Sequence, residues 1–206
     1  MTAGTTRGIP TLRSGWPVLR TPRWMLAGAV VLVAGLTLAA IPHHPSTSQR
    51  VTDLRGVVRE MNTDIESCAG GVSESLTALR AIQTGTSHDV TTAVNIASTG
   101  AANCSPANSM PMDDLVQYQP PESLASFQLA QTVNDLVTWG FPDAQRVQID
   151  VATLLTASTP GAVKAATTAL QHDQQVLNDE RATIDAMIDA ASKSLSAAVA
   201  PPTLPS

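Results

Sequence analysis

The sequence predicts an all-α protein: an N-terminal transmembrane helix, then an extracytoplasmic up-down bundle of three long helices, one short helix and a proline-rich strap. Three observations predict it. Beyond Arg50, apolar residues recur at steps of three and four, the period of helices packed along one stripe. Aromatic residues make up 3% of the 206, too few for the strands of a sandwich or barrel. Every acidic residue lies at or beyond Asp53, and Arg7, Arg13, Arg20 and Arg23 are the only charged side chains before Arg50. The net charge of −5 excludes a generally basic nucleic-acid binder.

The N-terminal elements are read from that asymmetry. Residues 1–23 read as a short basic cytoplasmic tail and Trp24–Ile41 as the membrane span. Its eighteen uncharged residues would run about 27 Å as a helix, close to the thickness of a hydrocarbon core. Arg20 and Arg23 abut only its amino side, which keeps that side in the cytoplasm and sends the chain after Ile41 outside. The competing reading is a signal peptide cleaved near Ala39 and a secreted product, although the apolar stretch is longer than a usual signal core. Gly28, Gly35 and Ala39 share one helical face, where small residues allow two spans to associate. Residues 42–49 are a linker, 50–199 the bundle and 200–206 a disordered tail.

The bundle begins with the capping box Ser46-Thr47-Ser48-Gln49. A long seam continues through Val51, Leu54, Val58, Met61, Ile65, Cys68, Val72, Leu76, Leu79 and Ile82. Thr84–Ser87 turns the chain, with Ser87 as N-cap of a shorter helix whose seam is Val90, Val94, Ala97, Ala101 and Cys104. Cys68 and Cys104 are equidistant from position 86, inside that turn, so an antiparallel hairpin brings them to one height. Two cysteines placed so in an exported chain predict a structural disulfide rather than two unlinked core thiols. There is no CxxC, and suitably placed histidines for a zinc site are lacking.

Residues 105–122 carry four prolines and read as an irregular strap, with Leu115, Val116 and Tyr118 laid on the helices. Helical spacing resumes at Ser123 with Leu124, Phe127, Ala130, Val133 and Val137. It keeps its phase across Gly140-Phe141-Pro142 into Ala144, Val147, Val151 and Leu154, which predicts one kinked helix. Thr159-Pro160 is a hydroxyl cap with proline at the first helical position. It opens a last helix through Val163, Ala166, Leu170, Leu177, Ile184, Ile188, Ala191, Leu195 and Ala198. That seam turns polar near Asp173-Gln174 and Glu180-Arg181, read as a solvated flank rather than a buried polar layer. The kink falls level with the disulfide, where Trp139 and Phe141 are expected to fill a waist.

In layout the chain resembles small exported helical proteins of bacteria with high genomic G+C content, held by one N-terminal span. The likeness rests on the anchor, the ten arginines against two lysines, and the Cys68/Cys104 hairpin. It names no family and carries over no site residue.

Chemistry is thinly represented. His88-Asp89 and His172-Asp173 suggest a metal phosphohydrolase pair, but the predicted bundle separates them along its length; surface histidines are expected, with no metal and no cofactor. No phosphate loop, nucleophile elbow, HExxH or dinucleotide fingerprint occurs. The expectation is a membrane-anchored, non-catalytic protein that presents a surface to an envelope partner or to itself. The contact regions would be the hydroxyl-rich tip and the Tyr118–Pro121 strap, including Pro120. The alternative is a ligand-binding or sensory bundle holding a small molecule near Trp139 and Phe141. A filled waist favours the first; an open cavity there favours the second.

Overall fold

The computed structural model describes residues 45–205, and this part is helical, with no strand among the described residues. The expected cytoplasmic tail, the span at 24–41 and the first linker residues lie outside the described residues. No helix among the described residues is long and apolar enough to cross a membrane. Six α-helices succeed one another: α1 Thr47–Gln83, α2 Val90–Asn103, α3 Met110–Gln117, α4 Leu129–Thr138, α5 Gln145–Thr156 and α6 Pro160–Ser194.

α1 is 37 residues, about 55 Å. Its N-cap is Ser46, whose hydroxyl accepts from the Gln49 amide at 3.1 Å. The predicted seam from Leu54 to Leu79 is buried at every position. The helix stops where Gly85 turns left-handed (φ 73°), which lets the Ser87 amide reach back to the Ala81 carbonyl at 3.0 Å.

α2 starts two residues later than the Ser87 cap predicts. Asp89 caps it, accepting from the Thr92 amide at 2.9 Å and the Thr92 hydroxyl at 2.7 Å. Its buried face also differs from the predicted one. Val90 is exposed and Val94 half-buried, while Ala93, Ala97, Gly100 and Ala101 are buried. The reason is the close approach of two backbones. A Cβ on Gly71 of α1 would lie 2.8 Å from the Gly100 Cα, so this crossing tolerates only small residues. Gly71→Ala should therefore cost about 1–3 kcal/mol by overpacking, read as a lower denaturation midpoint at unchanged m-value.

The strap is more regular than predicted. Four prolines do interrupt it, but Pro111 stands in the first turn of α3, where its missing amide is harmless, leaving two helical turns before Pro120. Met112 and Leu115 of α3 are fully buried, Tyr118 is half-buried, and Val116 faces solvent.

The third long helix is broken at both points where its sequence strains. Glu122–Phe127 is a 3-10 segment, and Gln128 turns left-handed (φ 54°) before α4 begins. Leu129 and Thr132 are thus buried, where the predicted Ala130 is exposed. A clamp from α1 holds the 3-10 turn. Arg50 donates to the Ser123 carbonyl (3.1 Å) and the Ser126 hydroxyl (2.7 Å), and its guanidinium lies 4.6 Å over the Phe127 ring. The second break is the predicted kink. Trp139–Ala144 widens to a π-turn, Phe141 is extended (φ −137°, ψ 113°) and the Phe141–Pro142 bond is cis. The phase survives it, since Ala144, Val147 and Val151 are all buried.

α1, α2 and α5 pack as a three-helix group at the end carrying the two tight turns, and α6 lies chiefly along α5 and α4. Thr159 and Pro160 open α6 as predicted, with the Ala162 amide 3.2 Å from the Thr159 hydroxyl. Val163 is exposed, because α2 does not reach across to cover it.

The C-terminal residues, expected to fray, pack instead. Val199 and Leu204 are buried, the Thr203 amide donates to Asn62 Oδ1 at 2.8 Å, and Arg181 reaches the Leu204 carbonyl at 3.4 Å. The tail thus bridges α1, through Asn62, and α6, through Arg181.

Candidate interaction surface

Cys68 and Cys104 form the predicted disulfide, with Cα atoms 4.6 Å apart and both sulfurs buried. No free cysteine remains among the described residues. The bridge lies at the level of the kink, Cys68 Sγ being 3.8 Å from the Gly140 carbonyl. Beside it sits a polar node that apolar spacing does not reveal. Gln148, fully buried, approaches Cys104 Sγ with its amide nitrogen at 3.0 Å and donates to the Ala144 carbonyl at 3.2 Å. Its amide oxygen lies against Gly71 and Gly100 and 3.4 Å from the Ser75 hydroxyl, which itself donates to the Gly71 carbonyl at 2.6 Å. The two glycines admit the amide; the amide supplies a partner to groups that the close crossing would leave dry.

At the waist, Trp139 is fully buried, as expected. Phe141 is not: its extended backbone turns the ring outward, 40% exposed. Its predicted place is taken by Met112 and Ile65, which pack so closely on Gly140 that an added Cβ would lie 2.8 and 2.9 Å from their ends. Protein side chains fill the waist. The Trp139 Nε1 is buried without a hydrogen-bond partner among the described residues.

The strap presents Tyr118, Pro120 and Pro121 along one side of α1, with Tyr118 and Pro120 half-buried and Pro121 exposed. Around the Tyr118 ring stand acids that apolar spacing leaves unmarked. Burial, then Glu60, Asp64 and Asp53, push the Tyr118 phenol above its ordinary value. Asp64 is only 6% exposed, and burial, then Glu60 and Asp114, raise its carboxyl to about 6. One signal was available: Asp64 lies three residues after Met61 and four before Cys68, on the flank of the apolar stripe. Exposed Met110 and Val116 belong to α3, the helix that carries Asp114.

A second acidic feature runs along the packing of α6. Asp150 of α5 pairs with Asp173, and Asp143 of the kink with Glu180. The pairs are seven residues apart on both helices, in antiparallel register. Asp150 is raised to about 6 by burial and then by Asp173, Glu180 to about 7 by burial and then by Asp143. The stretch read as a solvated flank is therefore a half-buried polar layer. The ion pair in this layer joins Arg146 to Asp143 at 3.4 Å.

No three carboxylates, histidines or cysteines among the described residues converge on a metal site. His88 is exposed in the α1–α2 turn and His172 exposed on α6. An open groove of about 880 Å³ runs between α1 and the tail, with Arg55 and Arg59 at its edge and Val58, Val199 and Leu204 within it. The chain matches no protein-family model, no curated protein and no solved structure.

Proposed function

We propose that this chain is a cell-envelope protein: residues 24–41 anchor it in the membrane, and the bundle, outside the cytoplasm, binds a protein partner through its strap without catalysing a reaction. The Cys68–Cys104 bridge carries this reading. A disulfide closing 36 residues and holding the first two helices belongs to an oxidising compartment, where such bonds form and persist. The filled waist supports a binding surface over an enclosed small-molecule site, and the strap supplies a half-buried tyrosine just after a short helix whose Met110 and Val116 are exposed.

The test is made in cells. A membrane-impermeant thiol reagent should find no reactive sulfhydryl, and the intact mass should retain residues 24–41. A photo-crosslinking residue at Tyr118 should capture a discrete membrane or envelope protein, and one at exposed Thr183 should not. Free thiols in the mature protein, or equal capture from both positions, would end the proposal. A mature mass beginning near Ala40 would replace anchoring with secretion.

A further inference from the structure

The groove between α1 and the tail has an apolar interior and a basic end. Val58, Val199 and Leu204 line it and are otherwise buried. Its volume of about 880 Å³ is that of a small-ligand site, which runs to about 300–1,000 Å³. Along α1 the lining begins with Arg55 and Arg59, one helical turn apart on the same face, and ends at Ser73, about 27 Å on. Arg50, Arg146 and Arg181 all reach protein acceptors. Neither Arg55 nor Arg59 has a side-chain hydrogen bond or an ion pair among the described residues. Like charges at this spacing repel, and an anion held between two guanidinium groups would relieve them.

Gly70, farther along the same lining, is independent of the arginines. It stands inside α1, where glycine weakens a helix relative to alanine. Its neighbour Gly71 is required by the close crossing with Gly100, but a Cβ on Gly70 would meet nothing within 4 Å. No packing within the chain calls for a bare backbone there. Its effect is to keep the groove open.

The walls decide between an extended peptide and an alkyl chain. A peptide lying in the groove needs hydrogen-bond partners along its backbone. The tail has few donors for it. Pro201, Pro202 and Pro205 lack an amide hydrogen, the Val199 amide donates to Ser192 Oγ at 3.1 Å, and the Thr203 amide donates to Asn62. On the opposite wall the amides of α1 are bonded within the helix. An alkyl chain needs only apolar surface. Glu66, two turns beyond Arg59, repels a negative head from the far half and so fixes the end that the head takes.

We propose that this groove binds a single-chain anionic lipid, with its carboxylate or phosphate head between Arg55 and Arg59 and its alkyl chain along Val58, Val199 and Leu204 toward Gly70. The site is separate from the strap, and neither reading rests on the other.

The test titrates octanoate and octyl phosphate into the full chain in zwitterionic nanodiscs and follows the methyl NMR shifts of Val58, Val199 and Leu204. Both anions should shift these methyls saturably, the tighter one naming the head. Octanamide, the neutral twin, and acetate, the head without a chain, should not. Val163, exposed on α6 and outside the groove, should stay still. Arg55→Gln/Arg59→Gln should weaken octanoate at least tenfold. Arg80→Gln, which removes an exposed arginine outside the groove, should leave it unchanged. Gly70→Leu should weaken octanoate at least tenfold while raising the urea midpoint, a combination that misfolding cannot produce. Saturation by octanamide or acetate at octanoate's concentration, equal weakening by Arg80→Gln, full binding to Gly70→Leu, or no saturable shift would each overturn the lipid site. So would tighter binding of a capped tetrapeptide of aspartate and leucine, or methyl shifts that grow with protein concentration alone. Those two results would give the groove to a peptide or to a second copy of the chain.

Discussion

Removing the Cys68–Cys104 bridge should lower the stability of the bundle by roughly 4 kcal/mol, the chain-entropy value for a closed loop of this size. For a domain of this length that corresponds to a fall in Tm of about 8–16 °C. The loss arises mainly in the unfolded chain, whose first two helical segments are no longer tethered. The folded side adds to it. The bridge sits where α1 and α2 approach most closely, so its loss frees Gly71 and Gly100 to separate and deprives the Gln148 amide of its sulfur neighbour. The measurement is thermal unfolding of the full chain with the bridge intact, with the bridge reduced and alkylated under denaturant, and as Cys68→Ala/Cys104→Ala. A loss below about 1 kcal/mol would show that the hairpin is held by its packing alone. Since both sulfurs are buried, reductant without denaturant should open the bridge only at the rate of local unfolding.

What could be foreseen of this fold divides along physical lines. The seam of α1, the Ser46 and Thr159 caps, the disulfide and the break at Gly140–Pro142 were legible because each depends on residues near one another in the chain or on the steady period of one helix. The buried face of α2 was not. Apolar spacing favours Val90 and Val94, whereas the helix turns its alanines and Gly100 inward because α1 comes within backbone contact. Tertiary packing overrode local preference there. The 3-10 turn after Pro121 depends on Arg50, more than seventy positions away, and the seating of the C-terminal residues depends on Asn62 at a distance of 141. The acidic residues of the strap face and of the α5–α6 packing escaped notice for a different reason. Apolar periodicity treats every charge as solvated, so a carboxyl that helix packing draws inward looks like any surface acid. Asp64 alone left a trace, through its place between Met61 and Cys68.

Those inward-drawn carboxyls should make the protein most stable in mild acid. Glu180 is raised to about 7, and Asp150 and Asp64 to about 6, each mainly by burial and then by a neighbouring acid. A folded-state pKa above the unfolded value means that the folded chain binds the proton more tightly. As the pH falls through 7 and 6, the folded form takes up protons that the unfolded chain, with carboxyls near 4, still refuses. Stability therefore rises across this window and levels off once the unfolded carboxyls also protonate. The geometry explains where the protons go. Arg146 donates to Asp143, and Glu180 packs on the same carboxyl, so the proton that Glu180 takes up is donated to Asp143. Asp150 stands in the same relation to Asp173, and in each pair an oxygen that was buried without a partner gains one. Water reaches the flanks of these groups and screens their charges, so the three shifts count for less than their full value. The gain expected between pH 8 and pH 5 is about 3 kcal/mol. Further acidification should reverse it. The Asp89 carboxyl, held below its ordinary value by the Thr92 amide and hydroxyl, loses its cap on α2 as it protonates. Glu180→Gln provides the control. A neutral amide there can donate to Asp143 at every pH, so the variant should be more stable than the natural chain at pH 8 and should lose much of the rise between pH 8 and 6. Urea unfolding at pH 8, 6.5 and 5 measures all of this. A natural chain whose stability is flat or falling over that range would mean that the acidic pairs along α6 separate into solvent and keep their charges.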